Sequence, residues 1–303
     1  MKALRIGTRG SALAMWQARA VANLIEAAHG RPSEICVIRT AGDRLQDAPL
    51  SEPGGKGLFV KDIEDALLGG AIDLAVHSAK DMSATLPEGL VVPAVLPRED
   101  SRDALVLRQG QTALGQEAGI GTGSVRRSAQ LRAGYPDARF LPIRGNVDTR
   151  LRKLDAGDYD ALVLAVAGLV RLGHGERITV RISHDDCVPA PGQGIVAIEA
   201  RRDDAEAAGI LRAINDVRSA VCFEAERAVV SALGGGCELP LGVVAVHTGD
   251  RLVMQALVTS PDGVRQVRRR IQGDASRPAD LGKRLADDLA DAGAIAILNE
   301  VRY

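Results

Sequence analysis

The sequence predicts an α/β fold made of two α/β domains and a smaller C-terminal α+β domain. Its 303 residues are enough for two or three domains of ordinary size. Short apolar runs alternate with helical patterns over the first two thirds of the chain, and this order is typical of parallel sheets with crossover helices. The last third changes to a helix, three strand-like runs and a closing helix, which predicts a three-stranded antiparallel sheet.

The first domain begins with the apolar run ALRIGT, which predicts a strand at 3–8. A helical pattern follows at 12–28, and EICVIRT predicts the next strand at 34–40. Beyond a polar loop, LFVKDIEDALLGG at 58–70 predicts a helix that ends on glycines. DLAVHS at 73–78 predicts a third strand, and the alternation of strands with helices indicates parallel pairing.

The second domain repeats this order. DALVLR at 103–108 predicts a strand, and GIGTGSVRRSAQLRAG at 119–134 predicts a strand end, a loop and a helix. The runs at 138–146 and 160–173 repeat the strand-then-helix pattern, and GQGIVAIEAR at 192–201 predicts another strand.

The C-terminal domain begins with a helical pattern at 217–233 and closes with another at 277–293. Between them, strand-like runs lie at 241–248, 251–260 and 264–273. The turn sequence SPDG joins the last two runs and favours a tight antiparallel connection.

A short internal echo links the first two domains. Ile6-Gly7-Thr8-Arg9-Gly10-Ser11 resembles Ile120-Gly121-Thr122-Gly123-Ser124. Both segments predict a strand that runs into a helix capped by a serine or threonine. Free N–H groups and the positive end of the helix dipole favour anions at such a place. A chance match is the alternative, but a real echo predicts two domains that each offer an anion-binding loop to one cleft.

Composition and charge exclude several classes of protein. The formal net charge is -1, and no helix-turn-helix pattern or basic face indicates a nucleic-acid partner. The N-terminus MKALRIGTRG has no apolar core of a secretory signal, and no run of about 18 uncharged apolar residues predicts a membrane span. We therefore expect a cytoplasmic protein without a membrane partner, in a compartment that disfavours disulfides.

The stretch ALGGGCELPLG places Cys237 directly behind three glycines. Three consecutive glycines lose too much backbone entropy to lie inside a helix or strand, so Cys237 is expected in a tight loop. A disulfide, a metal ligand, a nucleophile and an attachment point are the possible roles. No cysteine pair has CxxC spacing, so no metal site is predicted, and a covalent role remains.

The other three cysteines lie in different contexts. Cys36 lies in a strand pattern and Cys222 in a helical pattern, and we interpret both as packing residues. Cys187 fits neither a strand nor a helix pattern and is ambiguous.

Arginines dominate the basic residues. Only six of the 38 basic residues are lysines. Composition bias of the genome explains such an excess of arginine, and so does the binding of carboxylates or phosphates, which the planar guanidinium group of arginine contacts through two parallel hydrogen bonds. The positions of the arginines distinguish these two explanations, and several arginines follow predicted strands. They are Arg9, Arg126, Arg127, Arg144, Arg150 and Arg171.

The segment AVHSAKDMS places His77, Lys80 and Asp81 at the end of a predicted strand. Ligands of open α/β sheets bind beyond the carboxyl ends of the strands, and an Asp beside a Lys suits proton transfer or cation stabilisation. A turn-capping Asp beside a surface Lys is the alternative. Together with the arginines, these residues predict a cleft for a polyanionic small molecule. A ligand-binding module would share that cleft but would leave the cysteine loop unexplained.

Several long motifs occur in the order found in one enzyme family. They are RIGTRGSALAMWQ, TAGDRLQDAPL, GGKGLFVKDIEDALL, DLAVHSAKDM, GTGSVRR, RGNVDTRL, LAVAGLVRLG, PAPGQG and GGGCELPLG. Over nearly its whole length the chain resembles the porphobilinogen deaminase family, also called hydroxymethylbilane synthases.

The resemblance implies a fold of three domains. Two α/β domains resemble the type II periplasmic binding proteins, and a third α+β domain carries the cofactor loop. The expected boundaries are 1–98 with 194–215 for domain 1, 99–193 for domain 2 and 216–303 for domain 3. The family is mostly monomeric, so a monomer is expected.

The resemblance also implies the chemistry. Porphobilinogen loses ammonia to give an azafulvenium cation, which the terminal pyrrole of a chain tethered to a dipyrromethane cofactor attacks. Four cycles and hydrolysis release hydroxymethylbilane for haem and other tetrapyrroles. By resemblance, Cys237 holds the cofactor through a thioether and Asp81 is the catalytic carboxylate.

The remaining site residues follow by position in the family motifs. Those expected to bind the cofactor are Phe59, Lys80, Ser124, Arg126, Arg127, Arg144 and Arg150. Those expected to bind the substrate are Arg9, Ser11, Thr122 and Arg171. The chain departs from the family at Ala79, Ser83 and Gly123, where Met, Pro and Ser are usual. None of these departures removes a charged contact.

Overall fold

The computed structural model describes residues 2–40, 60–234 and 239–301. The chain divides into two compact units. Unit 1 contains Met1–Arg98 and Ile195–Ala220, and unit 2 contains Glu99–Gly194 and Val221–Tyr303. The three-domain boundaries expected from the sequence stay a prediction.

Most strands and helices follow the order expected from the sequence. The strands are β1 Leu4–Thr8, β2 Ser33–Val37, β3 Leu74–Ser78, β4 Leu90–Val95, β5 Asp103–Leu107, β6 Gly119–Gly121, β7 Arg139–Leu141, β8 Ala161–Ala165, β9 Val180–Arg181, β10 Val196–Arg201, β11 Leu241–Thr248, β12 Arg251–Thr259 and β13 Gln266–Asp274. The α-helices are α1 Ala12–His29, α2 Lys61–Leu68, α3 Val125–Leu131, α4 Val147–Asp155, α5 Val166–Arg171, α6 Ala205–Arg212, α7 Val217–Ala232, α8 Pro278–Asp291 and α9 Ala294–Val301. Short 3₁₀ helices span Ala79–Asp81 and Gly175–Arg177.

Unit 1 is built on a five-stranded sheet of order β2-β1-β3-β10-β4. β1 pairs in parallel with β2 and β3, whereas β10 runs antiparallel to β3 and β4. Apolar side chains of this sheet pack against those of α1 and α6, and Ile6 and Ile25 are fully buried in that core. Burial of this apolar surface fixes α1 against the sheet.

Unit 2 contains a second five-stranded sheet of order β7-β6-β8-β5-β9. β6 pairs in parallel with β7 and β8, and β5 runs antiparallel to β8 and β9. The two sheets therefore share one pattern of order and direction, in which β6 takes the place of β1. The two segments of the sequence echo, which begin at Ile6 and Ile120, occupy equivalent positions.

The glycine of each echo segment is required by packing. A Cβ atom on Gly7 would lie 2.3 Å from Ile72 Cδ1, and one on Gly121 would lie 2.6 Å from Leu162 Cδ2. In each sheet a buried aliphatic side chain fills the space where a larger residue would project. The shared glycine of the two segments therefore has the same structural reason in both sheets: the second strand in the sheet order has no room for a larger side chain at this position.

The C-terminal part of unit 2 is an antiparallel sheet of order β11-β12-β13. The SPDG turn joins β12 to β13, and Gly263 adopts a φ of +80° that favours glycine. The α/β sheets and this three-stranded sheet confirm the predicted fold class.

Three details differ from the sequence analysis or lie beyond it. β4 contains Pro93 and lies at the edge of its sheet, where a missing N–H donor is tolerated. A further helix, α9, follows the predicted closing helix. Ser11 accepts a capping bond from the N–H of Ala14, whereas the Ser124 side chain makes no capping bond at the start of α3.

Candidate functional site

The predicted residues of unit 1 lie at one edge of its sheet. β1 ends at Thr8 and leads to Arg9 and Ser11, and β3 ends at Ser78 and leads into the 3₁₀ helix that contains Lys80 and Asp81. Because β1 and β3 are adjacent and parallel, their carboxyl ends meet at the same edge. Lys80 and Asp81 are half-buried, as is Arg9.

Hydrogen bonds fix the backbone around this edge. Gln17 of α1 is buried, and its Nε2 donates to Ser78 Oγ at 2.8 Å. The N–H of Ala79 donates to the carbonyl of Ile195 at 3.0 Å, immediately before β10. The Asp81 turn therefore rests on both α1 and the central strands of the sheet.

A buried contact between a histidine and a glutamate lies beside the same turn. His77 Nε2 is 3.1 Å from Glu199 Oε2, and the two side chains are 4% and 0% exposed. This contact joins β3 to β10. His77 thus lies inside the sheet and not beyond its carboxyl edge with Lys80 and Asp81.

The predicted residues of unit 2 gather at the corresponding edge of the second sheet. The adjacent parallel strands β7, β6 and β8 all end there. Thr122 and Ser124 follow β6, Arg144 and Arg150 follow β7, and Arg171 ends the helix after β8. The first two loops touch, because a Cβ atom on Gly123 would lie 2.8 Å from the carbonyl oxygen of Ile143.

Arg126 and Arg127 of α3 are turned into the protein and are 5% and 7% exposed. Arg126 Nη2 donates to Asp103 Oδ2 at 2.9 Å, while Arg127 donates to Asp103 Oδ1 through Nε at 3.0 Å and Nη2 at 2.7 Å. Gln193 Nε2 donates to the same carboxylate at 2.9 Å. Burial opposes ionisation of Asp103, but the two guanidinium groups outweigh it and hold the pKa of that carboxyl well below its usual range.

The other arginines of this edge are less deeply placed. Arg150 Nε donates to the carbonyl of Gly145 at 2.7 Å, and Arg144 is half-buried in the same loop. Arg171 Nη2 donates to the carbonyl of Gly194 at 2.7 Å. Burial lowers the pKa of Arg171, and the negative charge of Glu99 offsets part of that effect. An anionic ligand would offset more of it.

Two predicted residues, Cys237 and Phe59, lie outside the described residues. The elements that flank Cys237 are described: α7 ends at Ala232, and β11 begins at Leu241. β11 packs closely on the segment 187–193, because the N–H of Val243 donates to the carbonyl of Pro189 at 2.9 Å.

Sequence analysis missed Asp103 and Gln193 as members of the arginine cluster. Asp103 is the first residue of the predicted strand DALVLR, and Gln193 lies in PAPGQG, but neither had an assigned role. An acidic residue at the head of a buried strand is itself a signal, because an isolated buried carboxylate requires a partner. Cys187, which was ambiguous, is fully buried beside this cluster.

Within the described residues, no helix has the length and apolar character needed to cross a membrane.

Two family models match the chain. The model "Porphobilinogen deaminase, dipyromethane cofactor binding domain" matches residues 4–209, and "Porphobilinogen deaminase, C-terminal domain" matches residues 220–291.

Similar proteins include the porphobilinogen deaminases of three bacteria. The Roseiflexus castenholzii protein is 47% identical over 298 residues, which cover 97% of this chain and 98% of the relative. The Thiobacillus denitrificans protein is 45% identical over 302 residues and covers 99% of each chain. The Desulforudis audaxviator protein is 48% identical over 300 residues, which cover 98% of this chain and 97% of the relative.

Solved structures with a similar arrangement are more distant. A nutrient-binding protein from Burkholderia cenocepacia bound to methionine has a TM-score of 0.43 and 12% identity, covering 70% of this chain and 91% of that one. The Bordetella pertussis BvgS VFT2 domain has a TM-score of 0.42 and 15% identity, covering 70% and 86%. Values this low support no conclusion about the present chain.

The family models match most of the chain, and the relatives are nearly half identical over almost all of it. The chain therefore belongs to the porphobilinogen deaminase family and contains that family's dipyrromethane cofactor-binding domain.

Proposed function

We propose that this chain joins four porphobilinogen molecules head to tail with loss of ammonia and releases hydroxymethylbilane. It is a transferase of tetrapyrrole biosynthesis, and its residues act in the roles set out below. The observation that carries the proposal is the family match over residues 4–209. Within that range, each predicted ligand-binding residue described above follows the carboxyl end of a parallel strand in a mixed sheet.

The residues present fit a cofactor that carries several carboxylates. Among the described residues, Asp103 is the only carboxylate within salt-bridge distance of Arg126 or Arg127, so two buried cations face one anion. Arg144, Arg150 and the partly desolvated Arg171 lie at the same edge. We propose that the acetate and propionate groups of the cofactor are held by Lys80, Ser124, Arg126, Arg127, Arg144, Arg150 and Phe59, and that Cys237 binds the cofactor covalently. Sulfur suits this anchor because thiolates attack carbon electrophiles readily.

When bound, the dipyrromethane supplies the pyrrole carbon to which the substrate units are joined. Asp81 carries out the protein's share of the chemistry. Positive charge develops on porphobilinogen as ammonia leaves, and a carboxylate fixed at the end of β3 stabilises that charge without reorganising. In this proposal the same carboxylate accepts and returns a proton at the pyrrole N–H.

Arg9, Ser11, Thr122 and Arg171 bind and orient the substrate side chains in this proposal. Ser11 already accepts the N–H of Ala14, so its position is fixed by the start of α1. Arg9 lies between the end of β1 and this helix start. Cations fixed in this way select for the carboxylates of porphobilinogen.

We further propose that the enzyme acts as a cytoplasmic monomer without a nucleic-acid or membrane partner. The support is the net charge of -1 and the fact that members of the family are mostly monomers. Sedimentation of the purified chain tests the monomer, because a dimer would double the 31.8 kDa mass.

Intact mass of the purified protein tests the function. The wild-type chain should carry one covalent adduct, and Cys237→Ala should be folded, inactive and free of the adduct. Cys36→Ala is the control, since Cys36 lies in β2, and it should keep the adduct. An unmodified wild-type chain would favour a ligand-binding module, and an adduct that survives Cys237→Ala would place the anchor elsewhere.

Substoichiometric porphobilinogen tests the stepwise reaction. If the product grows on the protein, native mass spectrometry should show a ladder of discrete enzyme masses, with each step equal to one porphobilinogen minus one ammonia. A single unchanged enzyme mass accompanied by free short oligopyrroles would contradict growth on the protein.

A further inference from the structure

Glu226 lies on α7, the helix that leads into the loop containing Cys237, and its side chain is fully buried. Its two carboxyl oxygens accept hydrogen bonds from two separate segments of main chain. Oε1 accepts the N–H of Ala245 in β11 at 2.7 Å, and Oε2 accepts the N–H of Gly192 at 2.6 Å. One buried side chain therefore joins the helix before the loop to the strand after it, and joins both to the segment PAPGQG.

The bond to Ala245 satisfies the open edge of a strand. Within the described part of the chain, β11 lies at one edge of the three-stranded sheet and pairs with β12. The N–H groups of Val243 and Ala245, two residues apart, point to the side away from β12. Val243 donates to the carbonyl of Pro189 at 2.9 Å, and Ala245 donates to Glu226. Because a buried N–H requires an acceptor, Pro189 and Glu226 together take the place of a neighbouring strand.

The bond to Gly192 fixes a turn in PAPGQG, a motif that sequence analysis left without a role. Gly192 adopts a φ of +73°, in the left-handed region that favours glycine. The N–H of Gln193 donates to the carbonyl of Ala190 at 3.0 Å and closes the turn. The segment is therefore held by β11 at Pro189 and by α7 at Gly192.

α7 gives Glu226 a fixed base. A Cβ atom on Gly282 of α8 would lie 2.3 Å from the carbonyl oxygen of Ala225 and 2.7 Å from the Cβ of Ala228. This close contact between two helices leaves α7 little freedom to shift beside Glu226. The bond from Ala245 to Glu226 spans 19 positions of the chain, and Cys237 lies within that span.

We propose that Glu226 is a positioning residue for the cofactor anchor, because it fixes the two flanks of the Cys237 loop relative to each other and to the turn at Gly192. The proposal rests on the proposed function for the role of Cys237. Glu226 touches neither substrate nor cofactor in this account and acts through the loop. A cofactor tethered at Cys237 moves with the ends of that loop, and a displacement of about 1 Å at a reacting centre lowers a rate by up to about 10²-fold.

Glu226→Gln tests the two hydrogen bonds with almost no change of shape. An amide group has one acceptor oxygen and one donor nitrogen, so it accepts from Gly192 or from Ala245 but not from both. In hydrogen exchange of the purified protein, the amide of one of these two residues should exchange at least about tenfold faster than in wild type.

The kinetic test compares Glu226→Gln with Leu285→Ala. Leu285 is fully buried in α8, so its truncation lowers stability without removing either hydrogen bond of Glu226. Both variants are assayed equally far below their own Tm, so that the loss of stability affects them alike.

Positioning predicts a specific pattern in this comparison. On adduct-bearing Glu226→Gln protein, kcat should fall at least about tenfold relative to Leu285→Ala, while KM stays close to that of the control. The fraction of protein that carries the adduct should also fall. Glu226→Asp keeps a carboxylate with a shorter reach and should lie between Glu226→Gln and wild type. It replaces Glu226→Gln in every comparison if that variant does not fold.

Two results would overturn the proposal. One is equal kcat and equal adduct fraction in Glu226→Gln and Leu285→Ala, since Glu226 would then contribute to stability alone. The other is unchanged exchange at both Gly192 and Ala245. Failure of the proposed function is a separate result, in which the wild-type chain lacks the adduct. The alkylation rate of the free Cys237 by iodoacetamide would then compare the two variants, and equal rates would exclude a positioning role.

Discussion

Gly242 of β11 packs directly against the main chain of Val188. A Cβ atom at Gly242 would lie 2.5 Å from the Val188 carbonyl oxygen, and that oxygen accepts a hydrogen bond from Arg126 Nη1 at 2.6 Å. β11 follows the loop that contains Cys237. The strand next to the proposed cofactor anchor is therefore in contact with the acceptor that holds one of the proposed cofactor-binding arginines.

Gly242→Ala should destabilise the protein and weaken ligand binding together. The methyl group must displace Val188, and overpacking of this kind costs about 1–3 kcal/mol. Urea unfolding measures the stability change, and intact mass measures how much of the protein carries the adduct. Gly209→Ala is the control, because no atom lies within 4 Å of its Cβ position and alanine favours a helix. A Gly242→Ala protein as stable as Gly209→Ala would contradict this prediction, because it would show that Val188 can move aside without a measurable loss of stability.

Asp81→Asn should lower turnover by at least about 10²-fold, the scale expected for loss of one electrostatic stabiliser. The amide keeps the shape of the side chain but removes the charge that offsets the developing cation. Asp81→Glu should do less harm, since it retains a carboxylate. Single-turnover kinetics on adduct-bearing protein measures the effect, with the exposed Asp65→Asn as the control. Near-normal turnover in Asp81→Asn would reduce Asp81 to a turn-capping residue.

Arg150→Gln should weaken substrate or cofactor binding, whereas Arg270→Gln should not. Loss of a charge-assisted contact amounts to about 1.5–3 kcal/mol, or roughly 10- to 150-fold in affinity. Arg150 lies at the ligand edge of unit 2, and Arg270 is exposed on β13. The KM for porphobilinogen and the adduct fraction provide the two readouts. Arg150 tests the anion site more cleanly than Arg126 or Arg127, whose removal also breaks buried ion pairs. Equal damage from the two changes would mean that the ligand edge has been misplaced.

The stability that Asp103 contributes should disappear only in acid. Its pKa is depressed in the folded state, so its contribution is present above the unfolded value of about 3.9 and is lost as pH falls through the lower folded value. At pH 7 the change Asp103→Asn should cost about 3–5 kcal/mol, because it leaves buried cations uncompensated. Urea unfolding at a series of pH values should show this difference hold steady down to about pH 5 and shrink below about pH 4. The exposed Asp137→Asn provides the baseline. A difference that grows in acid would contradict the assignment.

Sequence reasoning recovered most of the fold because the elements have clear local signals. The apolar run ALRIGT, the helical pattern after it and the SPDG turn each predicted an element that the structure confirms. Sequence analysis did not predict β4. Its Pro93 is unfavourable in a central strand and is tolerated here because β4 lies at the edge of the sheet. No local pattern shows whether a strand lies at the centre or the edge of a sheet.

The candidate site also has features that the sequence predicts and features that depend on the fold. The positions of Asp81, Lys80 and the arginines after strands are readable from sequence, since each follows an apolar run. The orientation of Arg126 and Arg127 is not, because their partner Asp103 lies more than twenty positions earlier in the chain. The sequence predicted that these two arginines bind a ligand. In the structure both side chains are buried and donate hydrogen bonds to the carboxylate of Asp103.

The sequence alone determined the family, most of the order of strands and helices, and the residue types at the predicted strand ends, because these depend on short-range pattern and on motif identity. Tertiary structure decided which charges are paired and which side chains are buried. The imbalance of two arginines against Asp103, the neutral thiol of Cys187 and the close contact of Gly242 with Val188 all join distant segments. Burial and electrostatic pairing are properties of residues that meet in space, and only the folded chain brings these residues together.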